Sequence, residues 1–331
     1  MYRIEMSDSK VMGSFISIND VDYVDVFLCN DKVKFVTNSA ELFAELELPV
    51  TKSKGEENFQ FRIHKKTLAS MVTGDYLILS KESDRISASF YNEYGVLNYA
   101  CSFDQQVVAE GSYAEKMELA EQTKEGMTFD VSALTNLGRV AKTSTGVINV
   151  DRRVASVFLR NGARVYRKVD TPMSFAVTSK ALDALRKSNC KVISVRDFLL
   201  ARNDGFYVMA TKTRLTTNEE YDFIKEFGAK FVATVGLGSL FRFMSKLKII
   251  SDLVELRVEQ SDCLISDSHY EYKVPIVFKG AQLAPGAECN SIAVPLTLLT
   301  GTLAMLGYNE FNIRVTKNFT QLTADKYTVV W

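Results

Sequence analysis

The chain has 331 residues, with 40 Lys+Arg against 40 Asp+Glu, 47% hydrophobic and 24% charged residues. That length exceeds one ordinary core and predicts about two or three domains, and the composition is that of a soluble globular protein rather than a disordered one. Zero net charge excludes a uniformly basic nucleic-acid coat, but leaves room for opposite charges kept on separate faces.

One unit recurs along the chain, a short amphipathic helix followed by two to four alternating strands. The first helix is expected over SDSKVMGSFISIND, followed by VDYVDVFLCNDKVKFVTNSAELFAELELPV. FQFRIHKKTLASMVTG opens the second unit with Leu68, Met71 and Val72 on its apolar face. MTFDVSALTNLGRVAKTST opens the third with Val131, Leu134, Leu137 and Ala141. SFAVTSKALDALRKSN opens the fourth with Ala181, Leu182 and Leu185, and a hairpin turn is expected at Asn203-Asp204-Gly205. KFVATVGLGSLFRFMSKLK carries Leu240, Phe241, Met244 and Leu247, and SIAVPLTLLTGTLAMLG carries Leu299, Leu303 and Leu306. In four units a β-like run (FQFRI, MTFDV, SFAV or SIAV) enters the helix directly.

The joins group the six units in pairs. Those after the second and fourth units, AEGSYAEKMELAEQTKEG and TTNEEYDFIKEFGAK, are longer and acidic. The expected fold is α+β, with three domains at 1–114, 115–224 and 225–331, each with two helices packed on antiparallel sheets. Each domain has roughly 110 residues, near the modal size.

Site chemistry is sparse. Cys29, Cys101, Cys190, Cys263 and Cys289 form no C-x-x-C pair, and His64 and His269 lack metal-ligand spacing. No phosphate-binding G-x-x-x-x-G-K-[ST] or nucleophile elbow occurs, and VGLGSLF lacks the third glycine of a dinucleotide fingerprint. The start MYRIEMSDSK has no apolar leader, and no run of ~18 apolar residues marks a membrane span. No enzyme activity, metal or cofactor is expected, and a reducing, cytoplasmic compartment is.

Charge is patterned instead. Opposite their apolar stripes, the helices carry Lys65 and Lys66, Arg139 and Lys142, Lys180, Arg186 and Lys187, and Arg242, Lys246 and Lys248. Acid gathers in the joins, at Glu110, Glu115, Glu118, Glu121 and Glu125, and at Glu219, Glu220, Asp222 and Glu226. On one helix such a run reads as a solvated face; on four helices of one repeat it fits contacts to duplex phosphates.

Three domains of paired helix-plus-sheet units with basic helices and acidic joins resemble the DNA sliding clamps of bacterial β-type, in a phage-encoded or diverged version. VMATKTRLTT is similar to the A-T-D-G-x-R-L segment of those clamps at Ala210, Thr211, Arg214 and Leu215, with Lys212-Thr213 in place of Asp-Gly. The resemblance implies a ring, a head-to-tail dimer for three domains per chain, encircling duplex DNA without sequence preference and tethering a DNA polymerase. It also implies a separate clamp-loader ATPase, no catalysis and no membrane, in the host cytoplasm if phage-encoded. Client peptides would meet a pocket expected at Leu215, Ile224, Phe227, Val329, Val330 and Trp331. A monomeric DNA-binding processivity factor and a β-rich virion or scaffold protein remain the alternatives.

Overall fold

The structure, a computed structural model, describes residues 1–6, 9–18, 21–29, 31–52, 59–71, 74–104, 114–123, 125–224, 229, 231–236, 253–259, 262–266, 271–274, 278–283, 291–295, 298–308 and 310–331. One grammar recurs in five of the six repeats: an entering strand, a short helix, then three strands. Repeat one is β1 (Tyr2–Glu5), α1 (Ser9–Ile18), β2 (Tyr23–Cys29), β3 (Lys32–Asn38) and β4 (Leu42–Lys52). Repeat two is β5 (Phe59–His64), α2 (Lys65–Met71), β6 (Tyr76–Glu82), β7 (Arg85–Tyr91) and β8 (Leu97–Asp104). The join after it holds α3 (Ala114–Gln122). Repeat three is β9 (Thr128–Asp130), a 3-10 turn at Val131–Leu134, α4 (Thr135–Lys142), β10 (Val147–Asp151), β11 (Val154–Phe158) and β12 (Arg164–Lys168).

Repeat four is β13 (Phe175–Thr178), α5 (Ser179–Ser188), β14 (Lys191–Val195), β15 (Phe198–Asn203) and β16 (Phe206–Thr211), with the one-turn α6 (Glu220–Phe223) in the next join. Repeat five has β17 (Phe231–Gly236), β18 (Leu253–Glu259), β19 (Asp262–Ser266), β20 (Glu271–Val274) and β21 (Phe278–Leu283). Its expected helix, with Arg242, Lys246 and Lys248, lies outside the described residues. Repeat six is β22 (Ser291–Pro295), a π-helical turn Leu298–Leu303 running into α7 (Ala304–Leu306), β23 (Glu310–Val315), β24 (Thr320–Ala324) and β25 (Tyr327–Val330). The fold is α+β with antiparallel sheets.

Local patterns explain these elements. In β5, Phe59, Phe61 and Ile63 are buried while Gln60, Arg62 and His64 are half-buried, the two-residue period of a strand. In α5, Ala181, Leu182, Ala184 and Leu185 are buried while Lys180 and Lys187 are exposed, the helical period. Two elements go beyond the sequence reading. The acidic join folds partly into α3, because Met117 and Ala120 at i, i+3 give it an apolar edge among the glutamates. Repeat one also has an entering strand, in which only Tyr2 and Ile4 are buried.

By internal packing the chain forms two compact units, one of Met1–Ser132 with Lys180–Lys212, the other of Ala133–Ser179 with Thr213–Trp331. The first unit holds a 12-stranded sheet running β8-β7-β6-β1-β4-β16-β15-β14-β9, with β3 beside β4 and β2 between β3 and β5. Its midpoint is the antiparallel pairing of β4 with β16, which sets Phe43 opposite Met209 and Leu46 opposite Phe206. On one face Phe15 of α1 meets Phe35 and Phe206 edge-on, with ring centroids 6.5 and 6.2 Å apart. On the other, Ala120 of α3 packs with Val36, Phe43, Leu200 and Met209. Gly205, in the turn before β16 with φ +66°, has no room for a side chain, since a Cβ would lie 2.8 Å from the Glu47 carbonyl oxygen.

The second unit holds a nine-stranded sheet, β13-β10-β11-β12-β25-β24-β23-β17-β21, and a four-stranded one, β20-β19-β18-β22. Here β12 pairs antiparallel with β25, Arg164 opposite Val330 and Val165 opposite Val329.

In the first unit α3 is also held by charge. The Lys34 ammonium lies 2.8 Å from a Glu121 carboxylate oxygen and 3.1 Å from one of Glu45, whose side chain is only 1% exposed. Burial pushes the Glu45 carboxyl above its ordinary range. Burial also works against the Lys34 charge, but the Glu121 and Glu45 carboxylates outweigh it and raise the ammonium above its ordinary value. Lys34→Met leaves Glu45 buried without its cation and is expected to cost about 3–5 kcal/mol at neutral pH. Because the folded state already favours protonated Glu45, that loss should shrink as pH falls toward the carboxyl range. Urea midpoints near pH 7 and near pH 5 check this; an equal loss at both would show that Glu45 is not the stranded charge.

Candidate functional site

In the first unit α1, α2 and α5 make a helical layer. Contact between α1 and α2 joins the first pair, and the Lys187 ammonium donates a 2.8 Å hydrogen bond to the Ser17 carbonyl near the end of α1. That carbonyl is among those a helix C-terminus leaves unpaired, so Lys187 ties α5 to α1 and complements the helix dipole. Lys66 and Lys180 are exposed, and Lys65 and Arg186 are half-buried. Arg186 is drawn toward Asp183, 3.8 Å away on its own helix. The sequence reading passed over Lys10, exposed on α1, because the first helix looked neutral as a whole.

In the second unit Leu137, Gly138, Val140 and Ala141 of α4 are buried while Arg139 and Lys142 are exposed. The start of this helix is set from the sheet: Arg167 of β12 donates to the Ala133 carbonyl and, at 2.8 Å, to the Tyr327 hydroxyl. Its guanidinium also lies 5.1 Å from the centroid of the Tyr327 ring.

The same unit carries a hollow of about 260 Å³, lined by Gly162, Arg164, Tyr166, Glu220, Phe223, Ile224, Phe319, Val330 and Trp331. Its lining residues Tyr166 and Ile224 belong to one apolar cluster with Tyr221 and Val154, with Phe319 and Val330 packed against it. Burial also pushes the Tyr166 hydroxyl above its ordinary range, against the pull of Arg164. Trp331 continues the β24–β25 ladder by exchanging backbone hydrogen bonds with Thr320, and its indole N–H donates to the Ala293 carbonyl of β22 at 2.8 Å. Of the six expected pocket residues, Ile224, Val330 and Trp331 line this hollow. Val329 is fully buried, facing the core by strand alternation, and Leu215 is half-buried away from the hollow. Phe227 lies outside the described residues. Arg164, Tyr166 and Phe319 were missed in the sequence, because only the β12–β25 register and the β23–β24 turn bring them there.

The segment entering the hollow is pinned by buried polar groups. Asn218 is 3% exposed; its amide donates to the Val154 carbonyl at 2.7 Å and accepts from the Ser156 hydroxyl at 2.6 Å. The Thr216 N–H donates to the Asn149 side chain at 3.0 Å, and Arg152 donates to Glu219 at 3.1 Å. Arg152 and Arg153 form the β10–β11 turn with φ of 49° and 62°, a left-handed pair that glycine or asparagine would adopt more easily. Arg164 and Glu220 form an ion pair across the hollow's rim.

No protein-family model matches the chain. No curated protein matches it either. Solved structures do. The DNA polymerase III subunit beta of Pseudomonas aeruginosa is 10% identical, with TM-score 0.74 over 100% of this chain and 98% of its own. The DNA polymerase III beta subunit of Thermotoga maritima is 12% identical, with TM-score 0.71 over 100% and 98%. The DNA polymerase sliding clamp of Bacillus subtilis is 11% identical, with TM-score 0.71 over 99% and 97%. This chain has the fold of those proteins along nearly its whole length.

Asn218→Ala leaves the Ser156 hydroxyl and Val154 carbonyl buried without their partner, and is expected to cost about 2–3 kcal/mol. It should also open Trp331 to a soluble quencher, since the segment beside the hollow loses its anchor. Chemical denaturation with Trp331 quenching checks both; an unchanged quench would show that Asn218 does not hold the wall of the hollow.

Proposed function

We propose that this chain is the subunit of a DNA sliding clamp, a ring that encircles duplex DNA without sequence preference and holds the replicative polymerase on its template. The observation that carries this reading is the fold it shares with bacterial clamps over 98% of their own length in two cases and 97% in a third. Basic helix faces in both units support it. Lys65, Lys66, Lys180, Arg186 and Lys187 of the first unit, and Arg139 and Lys142 of the second, face the duplex, joined by Arg242, Lys246 and Lys248. Lysine and arginine interspersed with Ser and Thr suit phosphates and carry no base readout.

The ring is a head-to-tail dimer of chains with domains at 1–114, 115–224 and 225–331. An open edge supports closure by a second copy: β8 ends the 12-stranded sheet, and Tyr94, Val96, Leu97 and Tyr99 are exposed at and beside it. Such an edge is a hazard unless it is paired. A one-chain factor would leave it bare, and a scaffold protein has no use for the cationic helices. The hollow beside Trp331, with Ile224 and Val330, takes the client peptide. The chain works in the cytoplasm, or the host cytoplasm if phage-encoded, has no catalysis or cofactor of its own, and is loaded by a separate ATPase. Among the described residues, no helix is long and apolar enough to cross a membrane.

Replacing the helix-face cations by glutamine, a few at a time, should weaken retention on circular duplex DNA equally for all sequences. The salt dependence should fall by up to about one unit of slope per lost phosphate contact. Retention that depends on sequence, or is unmoved by these changes, would remove the reading. Tyr99→Lys should convert the dimer into monomers in sedimentation at micromolar protein; a dimer that persists would place the joint elsewhere.

A further inference from the structure

One ion pair stands at the rim of an otherwise apolar and aromatic hollow. Among the described residues, only Arg164 and Glu220 of its lining side chains carry charge. The two partners are unequally held. Arg164 is fixed within β12 opposite Val330, its guanidinium lies 4.8 Å from the Phe158 ring centroid, and its side chain is 31% exposed. Glu220 sits on the one-turn α6 with its side chain 61% exposed. Water readily replaces Arg164 as partner for so exposed a carboxylate. Arg164 stripped of an anion would instead remain a half-buried cation against apolar walls, which is costly.

The neighbouring acid shows the same complementarity, Glu219 being held by Arg152. Acidic α6 thus lies on cations of the β10–β12 strands. Phe223, three residues after Glu220, also lines the hollow and is 57% exposed. The chain's own segment therefore presents to the hollow a carboxylate and an aromatic ring at a spacing of three.

We propose that the hollow takes a partner peptide in which an acidic side chain accompanies the apolar-aromatic anchor. The acid goes to Arg164 and displaces Glu220, which is a built-in competitor. Arg164 is then the residue that determines specificity, because its planar fork matches a carboxylate in paired hydrogen bonds. This deepens the peptide-pocket reading above and rests on it.

Trp331 is the only tryptophan in the sequence and lines the hollow, so its fluorescence follows peptide seating on the full-length protein. Three end-capped synthetic peptides share a Phe anchor and carry Glu, Gln or Lys three residues before it. They are titrated into wild type, Glu220→Gln and Arg164→Met. The Glu peptide should bind wild type about tenfold tighter than the Gln peptide, and the Lys peptide weakest. Glu220→Gln should tighten the Glu peptide by about threefold, as the competitor is lost, and Arg164→Met should make Glu and Gln peptides equal. Should Arg164→Met fail to fold, Glu220→Gln, at an exposed position, decides alone. Equal binding of Glu and Gln peptides to wild type, or weaker Glu-peptide binding by Glu220→Gln, overturns the proposal. Failure of the pocket reading looks different: none of the peptides binds any variant, by fluorescence or calorimetry, and the proposal falls with it.

Discussion

A strand edge left without hydrogen-bond partners is costly, and two edge-to-edge pairings answer that cost in this chain. The pairing of β4 with β16 joins repeat one to repeat four, and that of β12 with β25 joins repeat three to repeat six. The two larger sheets are thus each shared between repeats distant in sequence, which covers edges that would otherwise lie bare. Each seam is then covered by a connecting segment. Over the first lies α3, nine residues long, with Ala120 against Phe43 and Met209. Beside the second lies the four-residue helical turn α6, with Tyr221 and Ile224 on Tyr166.

Neutral overall charge hides a division that the structure makes local. Acids of the joins sit on cations of the sheets: Glu121 on Lys34, Glu219 on Arg152, Glu220 on Arg164. Among the helix cations, Arg186 lies 3.8 Å from Asp183 of its own helix. A protein can therefore carry a polyanion-facing surface and still have zero net charge, because the neutralising acids are tied up on its sheets.

Periodicity made the repeat legible wherever one face of an element is buried and the other is wet. Strand β5 and helix α5 are such elements, and so is the hairpin at Gly205. Where an apolar edge is two residues wide within an acidic run, as at Met117 and Ala120, composition pointed to a connector and the helix was lost. Strand β1 is too short for its alternation to stand out. At the hollow, aromatics in an acidic join made the segment around Ile224 conspicuous, whereas the clamp resemblance alone set Val330 and Trp331 beside it. It put Val329 there too, where alternation turns it into the core. Arg164 and Tyr166 come from β12, which pairs with β25 roughly 160 residues later, and no local pattern records a register formed across that distance.

The shared sheet also has a consequence in time. Strand β4 is finished at Lys52, but its neighbour β16 ends only at Thr211. At about 5–20 residues per second, a ribosome takes roughly 8–30 s to make the intervening chain. Through that interval the nascent protein carries a naked sheet edge with Leu42, Phe43 and Leu46 along it. Of the described elements made in that interval, α3 is the first to pack beside that edge, at Phe43. The connector helix is thus the nascent chain's earliest shield for the seam it will later span.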